Sequence, residues 1–145
     1  MMLFADGKAI ALSTSCGVET TGDTEETSSK DNGNWKEFIA TMLSWTASSD
    51  SNFSAIELDS ETADLAYKEL FAKLVAMDPI DVHFGELESR TNSNNDRPDT
   101  GWVEPSNGYE GKAIITGISM SAPLDGKATI SLSLQGTGEL KAVTV

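Results

Sequence analysis

The chain is short of cations, cysteine and histidine, and each shortage removes a class of function. Among 145 residues there are 10 Lys and Arg against 23 Asp and Glu, a formal net charge of −13 at pH 7. A protein that grips nucleic-acid phosphates needs a basic surface to displace counterions, and here the only arginines are Arg90 and Arg97. The same deficit argues against docking on anionic lipid or binding an acidic substrate. Cys16 is alone, which excludes an intrachain disulfide and a cysteine-based zinc cluster. That usage fits synthesis in a reducing compartment. No stretch approaches the ~20 apolar residues needed to span a bilayer. The opening Met1-Met2-Leu3-Phe4-Ala5-Asp6 meets a charge and a glycine too early to be expected as a signal peptide. The length suits a single domain, 1–145.

What the chain has in quantity is hydroxyl. Ser and Thr number 17 and 14, and both suit the wet face of a sheet. Lys8 to Ser15 reads as a first strand after a Gly7 turn, with Ile10 and Leu12 on one face. Val18 to Thr27 is extended in pattern but acidic, with little to bury, and 18–34 reads as a polar segment or loop. Asp31-Asn32-Gly33-Asn34 is a turn signal. Trp35 to Thr46 fits a short helix or a strand. Met42-Leu43-Ser44-Trp45-Thr46-Ala47 favours a strand ending near Ser48.

One segment is plainly helical. From Ser60 to Met77, residues Ala63, Ala66, Tyr67, Leu70, Phe71 and Leu74 make a stripe at i, i+3, i+4 spacing. Ser60 is the expected N-cap, Asp64–Lys68 and Glu69–Lys73 are i,i+4 pairs, and Asp78-Pro79 ends the run. Tyr67, Leu70, Phe71 and Leu74 are the expected packing face against a sheet. Beyond it, Ile80, Val82 and Phe84 alternate with Asp81, His83 and Gly85 as a half-buried strand. Ser89 to Gly111 loses the apolar pattern and reads as a long loop carrying Trp102 and Tyr109.

The C-terminal region has the clearest pattern. Ile114, Thr116, Ile118, Met120 and Ala122 fall on one face of a strand, and Asp125-Gly126 marks a tight turn. Ala128, Ile130, Leu132 and Leu134 then alternate with hydroxyls and Gln135. Several strands, one helix around 60–77 and no βαβ rhythm predict a mainly β (α+β) fold. It should be an antiparallel sandwich or barrel with the helix alongside.

Chemistry is thinly supported. His83 is the only histidine and lies on the polar side of an alternating strand, so an exposed structural histidine is expected rather than a triad member. Cys16 has no charged neighbour in sequence to activate it. Asp23, Glu25 and Glu26, then Asp78 and Asp81, read as solvated acids. Asn94, Asn95, Asp96 and Asp99 supply oxygen ligands without the order of a calcium loop. Gly136-Thr137-Gly138 lacks the following helix that a phosphate cradle needs. The three tryptophans fit core or interface packing better than a sugar platform. No catalytic residue, metal or cofactor is expected.

Taken together, several segments resemble phage major tail tube proteins. They are Gly7 to Ala11, Thr27-Ser28-Ser29-Lys30-Asp31-Asn32-Gly33-Asn34-Trp35-Lys36-Glu37, Ser44-Trp45-Thr46, Gly111 to Thr116, Ser119 to Thr129 and Gln135 to Leu140. The resemblance spans nearly the whole chain and rests on segment order rather than one diagnostic motif. It implies a non-enzymatic β-sandwich virion subunit that forms hexameric rings with copies of itself. The rings would stack into a hollow tail tube, join other phage tail proteins and let DNA pass as non-specific cargo. It implies no membrane partner, assembly in the host cytoplasm and residence in the virion tail. Related tube subunits occur in contractile tails and type VI secretion. The length of the 89–111 loop departs from the family pattern.

The polar stretch is then the expected contact between subunits or rings, at Glu25, Glu26, Thr27, Ser28, Ser29, Lys30, Asp31 and Asn32. Being poor in core residues, it is expected to order only against a neighbour. The acid excess becomes a candidate lumen charge that repels DNA phosphates. An alternative reading is a β-sandwich module that binds carbohydrate or a receptor through Trp102 and Tyr109.

Overall fold

A computed structural model describes residues 1–10, 13–52, 64–65, 67–86 and 104–144; for 64, 65 and 67 it describes the backbone only. Among the described residues, eight strands and one α-helix follow in the order β1 Met2–Ala5, β2 Lys8–Ile10, β3 Ser13–Glu26, β4 Phe38–Asn52, β5 Asp64–Leu65, α1 Tyr67–Ala76, β6 Ile80–Gly85, β7 Gly108–Ser121 and β8 Thr129–Val143. A short 3-10 turn, Lys30–Asn32, lies between β3 and β4. The strands form one sheet in the order β3-β4-β8-β7-β6-β1-β2-β5. Seven strands pair antiparallel, and the two-residue β5 joins β2 in parallel. The fold is therefore mainly β, as the alternation predicts.

The sheet is open at β3 and β5, so it is sandwich-like and not a hydrogen-bonded barrel. It curls so that β1 approaches β3, and one core collects side chains from both ends. Leu3, Ala5 and Ile10 meet Trp45, Ala47, Ile80, Val82, Ala113, Ile115, Leu132 and Leu134, with Leu70 of the helix closing one side. A sheet with one dry face can bury it in this way without a second independent sheet.

Local chemistry explains most element limits. Asp6 and Gly7 both take positive φ, 51° and 76°, and so form the tight turn that joins β1 to β2. That hairpin was only half visible in the sequence. The segment Lys8 to Ser15 is not one strand, since β2 ends at Ile10 and β3 starts at Ser13. Met2–Ala5, a run without alternation, is a strand buried from Leu3 onward. Such a run carries no period-2 signal.

The helix runs from Tyr67 to Ala76 rather than from Ser60, because Asp64–Leu65 pairs with Ala9 and Ile10 as a strand. Asp64 therefore lies outside the helix, and the expected cap Ser60 lies outside the described residues. Leu70 is buried and Leu74 packs on the core, whereas Phe71 is 47% exposed. Met77 ends the helix at φ 56°, its amide bonded to the Leu74 carbonyl.

β7 and β8 form the expected long hairpin, but the dry face of β7 is shifted. Ala113 and Ile115 are buried, not Ile114 and Thr116. The register steps from Ile115↔Leu134 to Gly117↔Ser133, which leaves Thr116 as an extra residue. This bulge reverses the alternation and brings Ile118 back onto the core. On β8 the predicted face holds, with Ile130, Leu132 and Leu134 buried. Tyr109, expected in a loop, belongs to β7 opposite Phe84 and Ala142. Trp102 and the asparagine-rich 94–99 lie outside the described residues.

Candidate functional site

The β3–β4 hairpin is two structures in one. In its inner half, Ser13 to Glu19 pair with Thr46 to Ser51, and β4 pairs on its other side with β8 from Thr46↔Gln135 to Asn52↔Thr129. Trp45, Ala47, Ser49 and Ser51 are buried in alternation. Beyond Trp45 the pairing with β8 stops. From Thr20↔Trp45 to Glu26↔Phe38 the hairpin continues as a two-stranded arm, and every described residue of 19–30 is exposed. The polar segment 18–34 is therefore strand as far as Glu26, and only its remainder is loop.

The arm carries large apolar side chains that are exposed. Met42 is 74% exposed, Leu43 80%, Phe38 56%, Ile39 51% and, at the tip, Trp35 84%. An isolated two-stranded hairpin is marginal by itself in water, and contiguous exposed apolar surface marks an interaction site.

The tip is nonetheless tied by its own bonds, contrary to the expectation that it orders only against a neighbour. The Thr27 amide donates to the Glu37 carbonyl at 2.9 Å, and the Glu37 amide donates to Ser28 Oγ at 2.9 Å. Ser29 caps the 3-10 turn by accepting from the Asp31 amide, and its hydroxyl donates to Asn32 Oδ1 at 2.7 Å. Lys36 pairs with Glu26 at 3.2 Å. Of the predicted contact residues, Glu25 and Glu26 thus end β3, and Thr27 to Asn32 build the tip. Sequence reasoning chose this polar stretch and passed over Phe38 to Leu43. Their helix-or-strand ambiguity hid that both faces of the strand are bare.

The arm is rooted on Trp45. Its indole lies against Gly136, where a Cβ would sit 2.2 Å from Cε2, and against Gly111, where one would sit 2.7 Å from Cζ2. Nε1 donates to the Gly138 carbonyl at 3.2 Å, and Gln135 Nε2 donates to the Trp45 carbonyl at 3.1 Å. The Gly136-Thr137-Gly138 run is thus a seat for an indole. Gly138, at φ 82°, bends β8 so that its carbonyl faces the ring.

The remaining candidates are structural. His83 is buried, not exposed, because residues 104–108 fold over the end of β6. Its Nδ1 lies 2.9 Å from Glu104 Oε1 and its Nε2 3.2 Å from the Asn107 carbonyl, so both ring nitrogens are occupied. The adjacent cleft of about 440 Å³ has Asp81, Glu110, Lys112 and Lys141 among its lining, charges of both signs. Burial pushes the Cys16 thiol up, away from the reactive thiolate. Among the described residues no group of His, Cys, Asp and Glu is placed to hold a metal, and no helix is long and apolar enough to cross a membrane.

A strand-rich subunit with a cluster of exposed apolar side chains on a two-stranded hairpin fits the class of structural, assembling proteins. The family comparison gives that class a specific form. A model described as "Phage tail tube protein" matches residues 5–142, and the chain belongs to that family. It is a structural tail tube protein of the virion tail. No curated protein matches it significantly in sequence. Among solved structures it is similar to a chain in the tail of an empty gene transfer agent particle, determined with C6 symmetry. That match has TM-score 0.66 and 16% identity, and covers 94% of this chain and 86% of the other. A chain of the native gene transfer agent virion gives 0.65 and 16%, covering 94% and 88%. The SPP1 tail tube gives 0.66 and 15%, covering 99% and 77%. At these identities the likeness concerns the fold.

Proposed function

We propose that the chain, acting as one tail tube domain over 1–145, forms hexameric rings that stack into a hollow tube, with the β3–β4 arm as the inter-subunit contact. The observation that carries this reading is the arm itself: a two-stranded extension with five exposed large apolar residues and, among the described elements, none paired alongside it. Burying a Leu, Phe or Met side chain contributes about 1.5–3 kcal/mol, so a neighbour that covers several of them gains a strong, directional contact. The C6 symmetry of the gene transfer agent tail supports a ring of six. Closed rings also use up exposed strand edges such as β3. The subunit has no catalytic role in this reading. It assembles in the host cytoplasm with other tail proteins, and phage DNA passes as unspecific cargo.

Deleting Glu25–Asn32 tests the contact. The shortened protein should remain a folded monomer by circular dichroism and thermal melting, yet show no rings or tubes by negative-stain microscopy at concentrations where the intact chain assembles. Normal tubes from the deletion would overturn the assignment.

A further inference from the structure

We infer that residues 104–108 form a strap held shut over the end of β6 by a doubly protonated His83, a latch that protons close and that loosens as pH rises. The latch is internal to one subunit and needs no neighbour.

Two glycines set the path of the strap. A Cβ at Gly85 would sit 2.4 Å from the Asn107 carbonyl oxygen and 2.5 Å from Pro105 Cγ. Gly108 has φ 134°, and a Cβ there would sit 2.3 Å from the Phe84 carbonyl oxygen. The strap therefore lies flat on β6 only because neither position carries a side chain. Pro105 is buried by this contact. At the other end, Glu104 Oε2 reaches the β1–β2 turn, 3.7 Å from where a Cβ at Gly7 would be.

His83 lies beneath the strap with 8% of its side chain exposed. Its Nδ1 is 2.9 Å from Glu104 Oε1, and its Nε2 is 3.2 Å from the Asn107 carbonyl oxygen. An ionised carboxylate and a backbone carbonyl both accept and have no hydrogen to give. A neutral imidazole has one N–H, so it bonds one of them and turns a lone pair on the other. Two N–H donors satisfy both. The closed strap thus holds one more proton than a neutral imidazole beside a carboxylate.

The surrounding charges come from several elements. Glu110 of β7 stands opposite His83 in register, with Lys141 of β8 beyond it. Asp81, two residues back on β6, stands opposite Lys112 of β7, and Glu139 lines the same cleft. From β1, Phe4 lies opposite His83 and brings no charge, while Asp6 at its turn is taken up by Lys73 and the Asp81 amide. With Glu104 counted, carboxylates outnumber ammonium groups around the ring, so an imidazolium there is not left among like charges.

The direction of the switch follows. When the ring gives up its second proton, Nδ1–H stays with the carboxylate, the stronger acceptor. Nε2 then turns its lone pair on the Asn107 carbonyl. The strap loses a charge-assisted bond and gains a repulsion at its centre. The bond is made in acid and lost as pH rises through the range where histidine titrates. Loosening would uncover the ring and the cleft of about 440 Å³ that Glu104 helps to line.

Because His83 is the only histidine, its ring can be read in the full chain. Long-range 15N correlation from its carbon-bound protons, between about pH 5 and about pH 8, reports which ring nitrogens carry hydrogen. Both should carry it in acid and Nδ1 alone in base. The Ser106, Asn107 and Gly108 amide resonances should shift in the same transition, while those of Leu132 and Leu134 stay still. His83→Gln should abolish the transition in the strap. Glu104→Gln keeps an acceptor for Nδ1 without its charge and should carry the transition to lower pH. If His83→Gln does not fold, the unmodified ring and Glu104→Gln decide. Strap resonances that stay fixed while the ring titrates, or a ring whose protonation does not change across the range, would overturn the latch. So would a strap transition unaltered by the substitutions.

Discussion

The inner and outer halves of the β3–β4 hairpin share backbone, pairing partner and hydrogen-bond pattern, yet one is core and the other is bare. In the inner half β4 has neighbours on both edges and buries Trp45, Ala47, Ser49 and Ser51. In the outer half it has β3 alone, and Phe38, Ile39, Met42 and Leu43 face water. The residue chemistry runs the other way from a naive rule, because the outer half is richer in large apolar side chains than the inner. Burial here depends on whether β8 is alongside. The difference separates two tasks, since the inner half holds the fold and the outer half is free to be covered by something else.

Substitutions can break that division or sharpen it. The largest effect is expected at the junction. Trp45→Ala removes the indole from between Gly111 and Gly136 and leaves a cavity, costing about 3–5 kcal/mol and lowering the thermal midpoint markedly. An unchanged midpoint would mean that the arm is not rooted there. A smaller effect is expected from the clamp on the far side of the molecule. Asp6 pairs with Lys73 of α1, and its Oδ1 accepts from the Asp81 amide at 3.1 Å. Burial pushes the Asp6 carboxyl up, but the Lys73 and Asp81 hydrogen bonds together with the Lys73 charge bring it below the usual carboxylate range. A depressed carboxyl stabilises above its unfolded value, about 3.9, and that contribution is lost as pH falls through the folded value. Asp6→Asn should cost about 0.5–1 kcal/mol near neutrality, since the pair is partly exposed, and should make the acid-side loss of stability shallower. Identical acid profiles would contradict the clamp.

Relieving the helix end at Met77 should act in the opposite direction. A side chain at positive φ costs about 1–2 kcal/mol, and part of that returns as unfolded-state entropy when glycine replaces it. Met77→Gly is expected to stabilise by about 0.5–1 kcal/mol in thermal melts. The smallest stability effect belongs to the arm itself. Met42→Ser with Leu43→Ser should change unfolding by less than about 0.5 kcal/mol, as surface substitutions do, while abolishing tubes by microscopy. A large loss of stability with normal assembly would reverse the comparison between the two halves.

The sequence made some of this plain and left some of it hidden. The β8 alternation Ile130, Leu132, Leu134 was legible because one face of a regular strand is dry over its whole length. The helix was legible from Leu70 and Leu74, but its start was not. Asp64–Leu65 continues the helical spacing and is drawn into a strand by a distant partner, β2. His83 sits at a polar position in its strand and is buried by residues 104–108, which no local pattern announces. The bulge at Thr116 reverses the face of β7, since a single extra residue overrides a period of two. The arm was half visible. Its acidic, turn-forming tip stood out, but the exposed apolar strand that follows looks like any core strand.

The β7–β8 connection is not the tight Asp125-Gly126 turn expected, because its turn runs from Pro123 to Gly126 inside a longer link from Ser121 to Thr129. By itself, then, the amino-acid sequence determined the charge, the hydroxyl content, the turn at Gly7 and the mainly β character. These are local or additive properties, set by each residue and its immediate neighbours. Only the tertiary structure decided which half of the β3–β4 hairpin is covered and where His83 lies. Those outcomes depend on register and on neighbours far away in the chain. Pairing between Thr46 and Gln135, 89 positions apart, draws the line between core and arm.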